Sequence, residues 1–463
     1  MHFTYNPLCW LFMAGGALAK PSQIHLALGG RTISDNLNDA SVSSAPGGMS
    51  VTWYTKEAQD APTLYWGVSS SDLSGSLPAK TTAYLEGFGY HHSALIDDLP
   101  CSVTKVYYSI DDMDEVLSFK RPPCSPTVSF NVSIFGDMGY LDSNQRPPKL
   151  RHRDGTPFHG LEKEWSATYT RQQLEKMKGT LDLMWIVGDI GYVDDAFATH
   201  PAKFTYEEVY NSYMEWMENI TSAIPLMVSP GNHESECHSP ACVVQELKYG
   251  RHLSNFTAFN ARFNMPSEES SGSRSTNMWY SWDYGSAHFI SLNTETDFEG
   301  AEEEGTGDSH IPWLKAGGFG EDGEFLRWLE ADLKKAHEAK LNGDTRWIIA
   351  GGHRPYDTIK DMEGVEGWFK EYGVDVYFAG HSHSYSRTTD VSSKPMYVVA
   401  GGAGCDEMGP PKDSLMLGPE SSEFVTSDKY SSGVLTVSPD KLVWKLIDSM
   451  DGSVIDEVEI PHE

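Results

Sequence analysis

From about Pro21 to Pro123 the chain alternates short apolar runs, rich in β-branched and aromatic residues, with clusters of Gly, Ser and Asp. Met49-Ser50-Val51-Thr52-Trp53-Tyr54, Thr63-Leu64-Tyr65-Trp66 and Lys105-Val106-Tyr107-Tyr108-Ser109-Ile110 are such runs, and their spacing predicts an all-β sandwich over residues 21–123. No chemistry is evident in this part. Arg121-Pro122-Pro123 reads as an exit linker. Beyond Pro126, strand-like apolar runs alternate with amphipathic stretches, the pattern of a layered α/β domain over 126–391. Its clearest helix is Glu324-Phe325-Leu326-Arg327-Trp328-Leu329-Glu330-Ala331-Asp332-Leu333, whose apolar residues at 325, 326, 328, 329 and 333 form one stripe facing a core. From about Ser392, strand-like pieces return in Pro395-Met396-Tyr397-Val398-Val399 and Gly433-Val434-Leu435-Thr436-Val437, and residues 392–463 are expected to complete the α/β domain.

Composition narrows the setting. A length of 463 residues, 39% of them hydrophobic, is enough for more than one core and argues against disorder. Against 66 Asp and Glu stand 35 Lys and Arg, a formal charge of -31, which disfavours non-specific attraction to nucleic acid or anionic lipid. Many carboxylates suit work in acid, where protonation relieves part of their self-repulsion. Residues 1–19 end in an apolar stretch, Pro7 to Ala19, that is too short to span a bilayer and closes on a small-x-small pattern; it reads as a signal peptide, though it lacks Lys and Arg before the apolar run. The mature chain is therefore expected to be secreted, or held in the lumen of a vacuole or lysosome. Sequons at Asn131, Asn219 and Asn255 fit that route, Asn131 lying inside a predicted strand.

In an oxidising compartment the remaining cysteines, Cys101, Cys124, Cys237, Cys242 and Cys405, should pair where geometry allows. The short loop between Cys237 and Cys242 makes that pair the first expectation and Cys101 with Cys124 the second, leaving Cys405 over. Repeated Cys-x-x-Cys pairs, which a cysteine zinc site would need, are absent.

Five apolar runs each end in a small turn residue followed by a metal-ligating side chain. They lead to Gly136-Asp137-Met138-Gly139, Gly188-Asp189-Ile190-Gly191-Tyr192, Gly231-Asn232-His233-Glu234, Gly351-Gly352-His353-Arg354-Pro355 and Gly380-His381-Ser382-His383. Any one of these is most simply a turn; five in succession are not. Parallel strands in an α/β sheet deliver their C-terminal ends to one edge, where ligands bind. Asp, Tyr, Asn and His are oxygen and nitrogen donors suited to iron, zinc or manganese. Seven such donors exceed what one catalytic ion with an open position needs, whereas two ions bridged by a carboxylate account for the number and imply an in-line hydrolysis at phosphorus.

The order of these motifs, with Trp282-Asp283-Tyr284-Gly285 and Asn293-Thr294-Glu295-Thr296-Asp297-Phe298, resembles the purple acid phosphatases among the calcineurin-like metallophosphoesterases, over nearly the whole mature chain. The resemblance implies a fibronectin-III-like sandwich ahead of the metallophosphoesterase domain, and acid hydrolysis of phosphate monoesters by water activated at the two ions. It implies that Asp137, Asp189, Tyr192 and His383 hold Fe(III), and that Asp189, Asn232, His353 and His381 hold a divalent ion (Zn, Fe or Mn), with Asp189 bridging. It also implies that His233 contacts phosphate and assists the leaving group. Tyr192 separates this group from Ser/Thr phosphatases and nucleases, which carry Asp-x-His where this chain has Asp137-Met138-Gly139. One departure stands out: plant members have a further histidine after the position of His353, but no His lies between His353 and His381, so either Lys360 or Arg354 supplies its positive charge or the role is absent. Small phosphorylated substrates are the expected partners, not nucleic acid or membrane, and a homodimer is the candidate assembly. A phosphodiesterase or nucleotide pyrophosphatase on the same metal core is the nearest rival. A binding protein with a decayed site is the more distant one, and seven competent ligand positions argue against it.

Overall fold

The computed structural model describes residues 20–29, 48–97, 99–140, 167–199, 203–235, 253, 256–266, 277–298, 301, 321–388, 394–405, 423–426 and 429–462. The N-terminal part is a sandwich of two four-stranded antiparallel sheets. Strands Ser22–Leu28, Met49–Thr55, Tyr90–Ile96 and Lys80–Thr82 make one sheet; Gly75–Pro78, Thr63–Gly67, Lys105–Ile110 and Leu117–Lys120 make the other. Their inward residues, among them Leu26, Val51, Trp53, Leu64, Val106 and Tyr108, are buried between the sheets. Cys101 and Cys124 form a disulfide beside this sandwich. Cys237, Cys242, Asn255 and the apolar stretch up to Ala19 lie outside the described residues.

Two further sheets pack face to face in the second part. The first, of six strands, orders Leu226–Ser229, Leu183–Val187, Phe130–Phe135, Ser431–Val437, Lys441–Asp448 and Val454–Pro461, with the first three parallel. The second, of seven, places Ala287–Ser291, Trp347–Gly351, Val376–Ala379 and Met396–Ala400 in parallel at its centre. Between the layers Trp185 meets Trp282 edge-on at 5.1 Å and Phe378 lies 4.8 Å from Trp444. Helix Glu324–Asn342 buries Phe325, Leu329, Leu333 and Ala336, as its apolar stripe requires, while Leu326 and Trp328 are only partly covered. The five ligand-bearing strands are thus divided, three in one sheet and two in the other. The ligand edge runs across the seam between two sheets, where sequence reasoning pictured the edge of one.

The sandwich rests on helix Tyr206–Thr221, which leads directly into the ligand strand Leu226–Ser229. Gln23 N–H donates to Glu218, Thr221 Oγ1 to the Ile24 carbonyl, and Tyr108 OH to the Ser222 carbonyl. At the centre of this contact Arg262, fully buried, pairs with Glu207 at 2.6 Å and donates to Tyr84 OH at 2.9 Å and to Gln23 Oε1 at 3.2 Å. Truncating one partner of a buried pair costs about 3–5 kcal/mol, since the other charge is left uncompensated.

Buried histidines in the sandwich couple it to pH. His92 is held between Thr55 Oγ1 at 2.8 Å and Thr81 Oγ1 at 2.9 Å, and burial pushes its imidazole down to about 4. The unfolded ring takes up its proton near 6.5, so between 6.5 and about 4 the unfolded chain binds a proton that the folded chain refuses. Stability from this group is therefore full above that window and falls as pH drops through it. His92→Gln, which cannot titrate, should flatten the dependence of Tm on pH between 6.5 and 4; an unchanged slope would count against it.

Candidate metal centre

Glycine shapes the turns that carry the ligands. Gly188 has φ +83°, and a Cβ there would lie 2.5 Å from His353 Nδ1; a Cβ on Gly231 would lie 2.3 Å from Asp189 Oδ1. The ligand residues themselves are bent: Asp137, Asp189, Tyr192 and His381 have φ of 59°, 49°, 49° and 65°. Such conformations cost about 1–3 kcal/mol each and cluster at functional sites. Here the first two turns support one another, with the N–H groups of Asp137, Met138 and Gly139 donating to the carbonyls of Gly188, Asp189 and Ile190.

All seven expected ligands come together, in two groups that share Asp189. In the first, Tyr192 OH lies 3.1 Å from Asp137 Oδ1, 3.3 Å from Asp189 Oδ2 and 2.8 Å from His383 Nε2. In the second, His353 Nε2 lies 3.0 Å from Asp189 Oδ2 and 2.9 Å from Asn232 Oδ1, and His381 Nδ1 lies 3.1 Å from the same Asn232 oxygen. Asp137, Asp189 and His383 converge as one candidate metal set, and Asp189, His353 and His381 as another. The donor chemistry fits a dinuclear centre: three or four oxygen and nitrogen donors to each position, with a single carboxylate common to both.

The field of the site attracts cations. Burial pushes the His353 ring down, yet the Asp189 carboxylate outweighs it and the ring is pushed up to about 9. Where protons are drawn in this way metal cations are drawn too, and the two compete.

His233 is half-buried and lies outside these two sets, in a third group of possible donors with Asp194 and Asp195. Its backbone N–H donates to Asp189 Oδ1 at 3.0 Å, its Nε2 lies 4.0 Å from Asp189 Oδ2, and its ring packs 4.1 Å from that of Tyr192. Asp194 grips the other ring nitrogen, with Nδ1 2.9 Å and 3.0 Å from its two oxygens. Burial lowers the pKa of His233, but the carboxylates of Asp194 and then Asp189 overcome this and raise it well above its ordinary value. The ring is thus aimed at the centre, with two carboxylates favouring its charged form.

Three residues that sequence reasoning left without a role support the ligand turns or the basic groups beside them. Glu234 takes the N–H groups of Asp189, Ile190 and Gly231 on its carboxylate at 2.9, 2.8 and 2.9 Å, tying two ligand turns together. Asp194 orients His233. Glu295, fully buried, holds Arg354 by Nε at 3.0 Å and Nη2 at 2.8 Å, so that Arg354 Nη1 sits 3.4 Å from His381 Nε2. Of the two basic residues named above, Arg354 is the one that stands at the centre. Lys360 is exposed and paired with Asp357. Asp194 and Glu234 lie within or beside the quoted motifs and could have been found there; Glu295 lies 59 residues from its partner, and no local signal connects them.

Residues 130–385 match the calcineurin-like phosphoesterase family model, 21–132 the purple acid phosphatase N-terminal domain, and 394–457 the iron/zinc purple acid phosphatase-like protein C. Acid phosphatase A of Cryphonectria parasitica is 28% identical, covering 88% of each chain. Acid phosphatase type 7 of Mus musculus is 26% identical, covering 95% of this chain and 90% of its own. The structure of a purple acid phosphatase from yellow lupin (Lupinus luteus) seeds superposes with a TM-score of 0.65 at 19% identity, covering 96% of this chain and 74% of that one.

Two substitutions separate the roles within the site. Asp189→Ala should abolish activity and lower metal content at both positions, because one carboxylate offsets the repulsion of two cations; two metals retained per chain would remove the bridging assignment. Asp194→Asn should lower kcat by ~10-fold or more with both metals kept, because it acts through His233. Metal loss in that variant would place Asp194 among the ligands instead.

Proposed function

The chain belongs to the calcineurin-like phosphoesterase family, in its purple acid phosphatase branch, and from that premise we propose that it hydrolyses phosphate monoesters in acid at a centre of one ferric and one divalent ion. The convergence of seven donors on two positions that share Asp189 carries this reading. Asp137, Asp189, Tyr192 and His383 would hold the ferric ion, and Asp189, Asn232, His353 and His381 the divalent one. Bound there, the two cations would neutralise phosphoryl oxygens and make a nucleophile available from water below neutral pH. The protein's own part is positional and acidic. His233, kept protonated by Asp194, faces the centre from the Tyr192 side and donates its proton to the leaving ester oxygen. Arg354, fixed by Glu295, adds a positive edge on the His381 side.

Tyr192 supports iron in the first position. Burial, then nearby Cys405 and the carboxylates of Asp137 and Asp189, raise its hydroxyl well above its ordinary pKa, so only a strongly charged cation would make it ionise. A phenolate is a hard donor suited to Fe(III). The Cys101–Cys124 disulfide supports an oxidising compartment, consistent with a secreted or luminal protein. Among the described residues no helix is long and apolar enough to cross a membrane.

Purified protein loaded with iron and zinc should be coloured and should cleave p-nitrophenyl phosphate well ahead of bis-p-nitrophenyl phosphate. Tyr192→Phe should lose the visible band and retain iron poorly while keeping its fold. A faster diesterase would overturn the monoester reading, and a colourless, fully active protein with zinc or manganese in both positions would overturn the ferric one.

A further inference from the structure

A cavity borders His233, walled by Val193, Tyr206, Tyr210, Glu234 and Phe259. A ring beside a cavity can swing into it unless the wall is stiff, so what holds the wall matters to His233. Tyr206 and Tyr210 stand on helix Tyr206–Thr221, and Phe259 on the short helix Thr257–Arg262. Arg262 joins these two helices. Its guanidinium lies over the Tyr210 ring, 4.2 Å from the centroid, and pairs with Glu207 through Nη2 at 2.6 Å. Its other nitrogens reach into the sandwich. Nε donates to Tyr84 OH at 2.9 Å and Nη1 to Gln23 Oε1 at 3.2 Å, while Tyr84 OH donates in turn to Glu207 Oε1 at 2.5 Å. The backbone sets Gln23 for this contact: the pairing of Ser22–Leu28 with Met49–Thr55 slips between Ser22 and His25, and Gln23 within the slip has a left-handed φ of 60°. Such irregularities re-aim a side chain, and a strained residue persists only where its surroundings hold it.

We propose that Arg262 is a positioning residue for His233, and that the sandwich takes part in the reaction by holding Arg262 through Gln23 and Tyr84; this rests on the reading that His233 donates a proton to the leaving ester oxygen. Stability alone does not call for the arrangement, because apolar residues of similar volume often serve a buried contact as well as an ion pair does, or better. Orientation does call for it. A guanidinium is planar, and one held at all three nitrogens cannot turn, so the Tyr210 ring beneath it is fixed too. Two of the three restraints come from the sandwich. Without them Arg262 keeps only Glu207, its plane turns about that one pair, and the wall beside His233 loosens. Asp194 sets which ring nitrogen of His233 faces the centre, and the wall limits how far the ring moves from it. A proton donor must stay within hydrogen-bond reach of the leaving oxygen, and a misplacement of about 1 Å caused far from the chemistry can cost about 100-fold in rate.

Two variants loosen the restraint without removing the buried charge: Arg262→Lys, which loses the planar fork, and Tyr84→Phe, which keeps the ring and loses the hydroxyl. Each is made in the full chain, loaded with metal, and compared with His233→Ala and with the two double variants. The rate is read on p-nitrophenyl phosphate, whose leaving group departs readily without a proton, and on glycerol 2-phosphate, whose alkoxide needs one. Arg262→Lys should keep both metals and lower kcat on glycerol 2-phosphate by about 10-fold or more, but on p-nitrophenyl phosphate only a few-fold, with KM little changed. Tyr84→Phe, which leaves two of the three restraints, should follow in the same sense by several-fold, and it carries the comparison if Arg262→Lys does not fold. In the His233→Ala background neither change should cost anything further, since residues that act through one group are not additive. Wild-type kcat in these variants, additive losses in the double variants, loss of metal, or equal losses on the two substrates where His233→Ala shows unequal ones, overturns the proposal. Equal losses in His233→Ala itself would remove the acid reading alone, because the double variants still decide whether Arg262 acts through His233.

Discussion

Everything in the catalytic part is arranged around two carboxylates, Asp137 and Asp189, buried and drawn to within hydrogen-bonding distance of one phenol oxygen. Two buried anions in such proximity are costly unless cations lie among them. The fold gives each carboxylate donors from its own loops. His381 N–H donates to Asp137, and His233 N–H to Asp189. The left-handed backbone at Asp137, Asp189, Tyr192 and His381 is held by the packed core beneath: Trp185, Phe289 and Trp282 fill the seam between the sheets under the ligand edge. A flexible scaffold would relax these residues apart. A seam filled with interlocking tryptophans has no room to do so.

This constraint also explains which parts of the protein could be read from its sequence. Strand, glycine and ligand are contiguous in the chain, so each of the five motifs is a local signal, and their number identified a dinuclear site. The sandwich and the helix beginning at Glu324 were legible for the same reason, since strand and helix periodicities are local. The division of the five strands between two sheets was not, because pairing depends on which apolar faces meet, and Phe130–Phe135 and Val376–Ala379 look alike as runs. Partners across long separations were hidden too. Nothing near Arg354 announces Glu295, and nothing near Arg262 announces Tyr84.

The chain shifts its histidines in opposite directions, and the direction follows the neighbours. His92, between two threonine hydroxyls, and His25, beside backbone carbonyls, have no carboxylate against them, so burial dominates and both fall to about 4. His288 is equally enclosed but sits between Asp283 at 2.7 Å and Asp332 at 3.0 Å, and there the carboxylates overcome burial and lift it to about 10. His353 and His233 follow His288, with acids against the ring.

For the proposed activity in acid the difference has a consequence. A neutral, buried histidine in the sandwich resists protonation only at the expense of stability, whereas at the centre the carboxylates make positive charge favourable on His353, though burial and Arg354 hold His381 down, and protons and metal ions would compete for the His353 ring. Acid therefore strains this molecule in two separate places. At the centre, Asp189 as the proposed bridge would give metal ions an advantage over protons, because one carboxylate could serve two cations at once, while a proton on His353 satisfies only one side of it. On the proposed reading, the shared carboxylate is what would allow a site built from titrating ligands to keep its metals in acid.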